Sequence, residues 1–188
     1  MIFRGLPPPH KPNLIYVARL DDNKNLLHIL RNYDEIKDLI GQFTIVGDGD
    51  LRDVVREYTK QYSNSVMSGV LNNHTTQLLM AAHDYLVLPS KYDGWGAVVN
   101  EALSVGTRVL CSVNCGAAIL LDGVERGEAF KLDSVKECLG KWLNKDPLSS
   151  SERAKIKNWA NSHISGEVAA EYFVSCFSNE RLTAPWLR

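Results

Sequence analysis

The chain has 188 residues, 45% of them hydrophobic and 23% charged, with 21 Lys and Arg against 22 Asp and Glu. That is the balance of one ordinary globular domain, long enough to bury a core without disulfide or metal staples. A formal net charge of -1 excludes a chain-wide field for nucleic acid or anionic lipid.

From the start, Met1 to Pro12 holds three consecutive prolines and no apolar stretch of signal-peptide length, so residues 1–13 read as a lead. No later run approaches the ~20 apolar residues that span a bilayer, so a cytoplasmic location is expected. Leu14 to Ala18 is a short apolar run and reads as a buried strand. Asp21-Asp22-Asn23 then opens a helix with Leu26, Leu27, Ile29 and Leu30 at helical spacing. Phe43 to Val46 is the second strand, closed by Gly47-Asp48-Gly49. Asp50 is expected to cap a helix with Leu51, Val54, Val55 and Tyr58 on one face. Ser65 to Ser68 is a weaker third strand, followed by a helix from about Thr75 to Ala82.

Tyr85 to Leu88 forms the fourth strand and Pro89 ends it. A loop to Gly96 precedes a helix from about Ala97 to Val105, and Arg108 to Cys111 is the fifth strand. A short helix near Ala117, a short strand near Ala129 and Phe130, and a helix from Val135 to Leu143 continue the alternation. Two more helices occupy about Ser151 to Ser178. The expected fold is α/β: a Rossmann-like parallel sheet of about six strands flanked by helices, one domain over 14–178 with a tail at 179–188. Ligands of such sheets bind beyond the carboxyl ends of the strands, where the Gly- and Pro-punctuated loops fall.

Four side chains and several glycines at that edge are candidates for chemistry. Glu101 sits in a helix apolar nearly all round, level with Val98 and Val105, so its carboxylate needs a partner. That partner is either a ligand hydroxyl or the guanidinium of Arg19 or Arg108. Asp93 lies in a loop between Lys91 and Gly96, where Gly94 and Gly96 let backbone amides approach an anion. Arg19 and Lys24 bracket the first strand's exit, a fork and a point charge suited to phosphate oxygens. Gly47 and Gly49 make a tight turn after the second strand.

Val17-Ala18-Arg19-Leu20 with Lys24-Asn25, Gly47-Asp48-Gly49-Asp50-Leu51, and Pro89-Ser90 through Glu101-Ala102-Leu103 together resemble the C-terminal domain of family 4 retaining glycosyltransferases. That family has the two-domain GT-B fold, and the resemblance runs from about Leu14 to Leu143. It implies that Arg19 and Lys24 bind the donor diphosphate and stabilise it as it leaves. It also implies that Glu101 bonds the nucleotide ribose and that Asp93 meets the donor sugar's hydroxyls. Gly94, Trp95, Gly96, Ala97 and Val98, with Gly47 and Gly49, would line the donor, and no metal or other cofactor is expected. Asp93 departs from the family's usual Glu, and Asn114-Cys115-Gly116-Ala117 keeps one glycine where a pair is common.

The resemblance further implies an N-terminal acceptor-binding domain, expected to be absent from these residues, so an acceptor-binding domain or partner subunit is expected. The apolar segment from Glu167 to Phe177, with Val168, Tyr172, Phe173 and Phe177, is then either a surface for that partner or a helix packed on its own domain. A non-catalytic nucleotide-sugar-binding module, or an inactive fragment, is the alternative. Asp48-Gly49-Asp50 has the form of a metal-binding Asp-x-Asp, but Asp50 suits a helix cap better. No G-x-G-x-x-G follows the first strand, against a dinucleotide oxidoreductase. Cys111, Cys115, Cys138 and Cys176 show no metal spacing and read as reduced thiols.

Overall fold

The structure, a computed structural model, describes residues 10–177 and 183–187. Most of the N-terminal lead and part of the C-terminal tail therefore lie outside the described residues. Six parallel strands form one sheet: β1 (Leu14–Val17), β2 (Phe43–Val46), β3 (Ser65–Gly69), β4 (Tyr85–Leu88), β5 (Arg108–Ser112) and β6 (Gly127–Phe130). Their order is β3-β2-β1-β4-β5-β6, the doubly wound arrangement that reverses direction between β1 and β4.

The central strands are apolar along their length because helices cover both faces. Alternate residues Leu14, Tyr16, Phe43, Ile45, Tyr85 and Val87 face one core. There they meet α1 (Leu26–Leu30), α2 (Tyr33–Ile36) and α6 (Val135–Leu143), with Trp142 fully buried. Ile15, Leu86, Leu88, Val109 and Cys111 face the other core. Met80 of α4 (Asn73–Ala82), Val99 and Leu103 of α5 (Ala97–Ser104), and Ile156 of α7 (Ser150–His163) close that side. The third strand is an edge, half-buried and exposed by turns, and its sequence carries two serines where the central strands are apolar.

Helix starts depart from the sequence expectation at three places. Asp21-Asp22-Asn23 form a turn, and α1 begins only at Leu26 with Asn25 at its N-cap. The helix after β2, α3 (Arg52–Thr59), has Leu51 at its N-cap and no side-chain cap, so Asp50 does not cap it. Instead the Leu51 amide bonds the Leu20 carbonyl at 2.9 Å, tying the turn to the first strand's exit. Val54, expected on the buried face, is 45% exposed. The α4 helix begins two residues before Thr75 because the Asn72 side chain accepts from the Thr75 amide.

The last helix, α8 (Gly166–Phe177), leaves Phe173, Val174 and Phe177 exposed, while Tyr172 packs edge-on against Trp186. No helix among the described residues is long and apolar enough to cross a membrane.

Candidate functional site

The first strand leaves the sheet as extended chain beside the exit of β2, with the Ala18 amide on Val46 O and the Leu20 amide on Asp48 O. A Cβ on Gly47, at φ 143°, would stand 1.9 Å from the Ala18 carbonyl oxygen. The chain's own backbone thus fills the space beside Gly47, and this close approach is what the glycine permits. Asp48 pairs with Arg52 at 3.1 Å. Among the described residues, no group of three His, Cys, Asp or Glu is set to hold a metal ion.

The turn from Asp21 to Asn25 is laced to the loop after β4. Asn25 adopts the left-handed conformation, φ 57°, and its side-chain Nδ2 donates to Pro89 O at 3.0 Å. Asn23 donates to Tyr92 O at 2.8 Å and accepts from the Lys91 amide at 2.8 Å. At the centre of this contact the Lys24 ammonium meets Asp93 Oδ2 at 2.5 Å, with the two side chains only 18% and 13% exposed. Two candidates 69 residues apart in sequence are therefore one ion pair.

A lysine ammonium has three donors and an ionised carboxylate about four acceptor positions. The described contacts use one donor of Lys24 and only Oδ2 of Asp93. Both groups retain unused hydrogen-bonding capacity at the carboxyl ends of the strands.

Arg19 has a different role in the packing. Its side chain is 78% exposed and bonds Asp21 Oδ2 at 3.1 Å. Asp21 Oδ1 accepts from the Lys24 backbone amide at 2.8 Å, so this carboxylate ties the Arg19 side chain to the backbone at Lys24. The buried Tyr16 hydroxyl donates to Arg19 O at 2.9 Å, and burial pushes that phenol well above its usual range.

The far side of Asp93 rests on the loop after β5. Its amide bonds Asn114 O at 3.0 Å, Gly116 N bonds Asp93 O at 3.0 Å, and Ala117 N bonds Trp95 O at 2.7 Å. A cavity of about 460 Å³ opens between the two loops, lined by Asp93, Gly94, Asn114, Cys115 and Gly116 among others. Gly96 is the N-cap of α5 at φ 84°, and a Cβ there would come within 2.4 Å of Cys115 Sγ. Trp95 bonds Asn100 through its indole N–H at 2.9 Å and lies edge-on to Trp186. The Ala97 side chain is exposed and that of Val98 half-buried.

Glu101 is half-buried in the second turn of α5 and makes no ion pair or side-chain hydrogen bond among the described residues. The salt bridge that would have explained it structurally is not formed. Arg108 pairs with Glu152 at 3.1 Å and Arg19 with Asp21.

The sequence reading placed Asn25 and the Asn114–Gly116 segment in the family's motifs, but it gave Asp21, Asn23, Asn25 and Asn114 no role in holding Lys24 and Asp93. The Asx cluster at 21–25 carried a signal, since Asn and Asp favour turns and tolerate left-handed backbone. Nothing local marked residues 114–116 as the partner of Asp93.

Residues 2–160 match the family described as glycosyl transferases group 1. An uncharacterized glycosyltransferase of Methanocaldococcus jannaschii is 30% identical over 103 residues, which are 53% of this chain and 26% of that protein. S. aureus TarM, solved as a mutant with UDP and other ligands, superposes with a TM-score of 0.71 at 17% identity. That alignment covers 96% of this chain and 38% of TarM. Anabaena HepE, solved with UDP and glucose, gives 0.67 at 17% identity over 90% of this chain and 49% of HepE. These structural likenesses establish the fold. The chain spans about a quarter of the curated relative and less than half of either solved neighbour.

Proposed function

The chain belongs to the glycosyl transferases group 1 family, and from that premise we propose that it is the donor-binding, C-terminal half of a GT-B enzyme of family 4. It holds a nucleoside-diphosphate sugar at the carboxyl edge of the sheet, for transfer with retained anomeric configuration. The observation that carries this reading is the Lys24–Asp93 pair, shielded from water yet using only part of each group's hydrogen-bonding capacity.

In the bound state the remaining donors of Lys24, together with Arg19, take the diphosphate oxygens. Asp93 Oδ1 accepts a sugar hydroxyl. Glu101 accepts from the ribose, the partner its own helix does not supply. The amides from Gly94 to Val98 surround the sugar and phosphate. Breaking the glycosyl–phosphate bond builds negative charge on the diphosphate, and cations prearranged there lower the barrier without a divalent metal. The neighbours solved with UDP support a uridine nucleotide as the first donor to try. The acceptor comes from a partner domain or subunit, in the cytoplasm, on a route to a surface polysaccharide.

Calorimetry with UDP, GDP, ADP and dTDP, then with the matching UDP-sugars, tests the reading. Binding of one nucleoside diphosphate that Glu101→Ala abolishes is the expected result. No heat with any of them, from folded protein, sinks it. A module that binds without transferring is the second reading. Sugar transfer on adding an acceptor-domain protein would exclude it.

A further inference from the structure

The loop that supports Asp93 carries a second chemistry. Cys111 lies near the end of β5 and Cys115 follows across a tight turn, closed by the Cys115 amide on Ser112 O at 3.0 Å. Both residues are buried, at 0% and 2% exposure. Both side chains belong to the same core, on the face of the sheet that α5 covers. The Cys115 thiol also donates to the Trp95 carbonyl at 3.0 Å and packs against Gly96. Cys115 borders the 460 Å³ cavity beside Asp93. Thiols that merely fill a core need no polar contact, whereas this one holds the peptide that starts α5.

We propose that Cys111 and Cys115 are a reversible dithiol–disulfide pair, and that joining them releases the Trp95 carbonyl and loosens the Asp93–Gly96 wall of the site. Only the consequence for donor binding rests on the functional reading above. Cys115 borders the cavity, whereas Cys111 is fully enclosed, its thiol pushed up by the neighbouring Cys115 and by burial. Cys115 is therefore the attacking sulfur and Cys111 the resolving one. With a peroxide as oxidant, the Cys115 thiolate takes one oxygen to become a sulfenic acid, and the rest of the peroxide leaves as water once protonated. Cys111 sulfur then attacks Cys115 sulfur, forming the S–S bond and expelling the oxygen as a second water. Two S–H bonds are lost, and the two electrons reduce one peroxide.

Cleavage after Arg108 and Arg126 leaves both cysteines in one tryptic peptide, with Cys138 and Cys176 in others. A Cys176→Ala chain, freed of the exposed thiol, is treated with hydrogen peroxide, alkylated and mapped by mass. The expected peptide is lighter by two hydrogen atoms, resists alkylation, and reverts with dithiothreitol. Amide exchange at residues 93–97 should rise with oxidation and fall on reduction. UDP-sugar affinity should drop about tenfold, the scale of one lost hydrogen bond, and recover with reductant.

Cys111→Ser, oxidised in parallel, should keep the amide exchange of its untreated form. Two thiols that stay alkylatable, a bridge from Cys111 to Cys138, or a disulfide that leaves exchange at 93–97 unchanged would each overturn the proposal. If reduced protein binds no nucleotide sugar, the functional reading fails, while mass and exchange still decide the thiol pair.

Discussion

Two aspartates at opposite edges of the sheet, one buried and one partly buried, each paired with a cation, differ in how completely they are satisfied. At the N-terminal edge Asp84 is 5% exposed and has both oxygens engaged. Oδ1 takes Arg153 at 2.7 Å and the Leu148 amide at 2.9 Å, and Oδ2 takes the Asn13 amide at 2.7 Å. Arg153 also caps the carbonyls of Ala81 and His83. At the C-terminal edge Asp93 uses one oxygen, and Glu101, one turn into the next helix, uses none. A saturated carboxylate joins elements of the fold, whereas a partly satisfied one is available to a ligand. Burial alone would have ranked the two aspartates the other way round as site candidates.

Removing Asp84 should show the largest effect. Asp84→Ala leaves the Arg153 guanidinium and two amides without their acceptor and should cost about 3–5 kcal/mol in urea unfolding. The fraction still folded should bind nucleotide with unchanged affinity. The matching change at the other edge, Asp93→Asn, should weaken UDP-sugar binding by about 1.5–3 kcal/mol, with a smaller loss of stability than at Asp84. Equal stability losses from the two variants would erase the distinction.

Glu101→Gln sharpens the comparison further. With no ion pair to lose, its midpoint in urea should stay within about 0.5 kcal/mol of the parent, while calorimetry reads a loss of nucleotide affinity of about tenfold. A clear drop in stability would mean that Glu101 has a structural partner after all.

The smallest effect concerns acid. Glu152 closes a capping box with Ser149 at the start of α7, and those bonds, with Arg108 beside it, hold its carboxyl down at about 2 against an ordinary 4.5. A folded-state value below the unfolded one contributes stability above about pH 4.5 that is lost progressively toward pH 2. Glu152→Gln should therefore flatten part of the stability curve in that window, leaving neutral pH nucleotide binding intact. Unfolding curves across the window that superpose for parent and variant would refute this.

The strands were legible in the sequence because continuous apolar runs bounded by Gly and Pro are what a doubly covered parallel sheet requires. Val135 to Leu143 was legible as a helix to the residue, from its 3.6-residue apolar spacing. Periodicity could not say that Leu51 rather than Asp50 precedes α3, because a backbone bond from across the turn to Leu20 decides that. Residue types at 19, 24, 93 and 101 marked the candidate edge, but not their company. Lys24 meets Asp93 only because β1 and β4 are neighbours in the sheet, and Arg108 turns to Glu152 only because α7 packs across the opposite edge. Local sequence determines which segments must be buried. Which charges meet, and which carboxylate is left for a ligand, is decided by contacts between residues some seventy apart, which only the folded sheet brings within hydrogen-bonding reach.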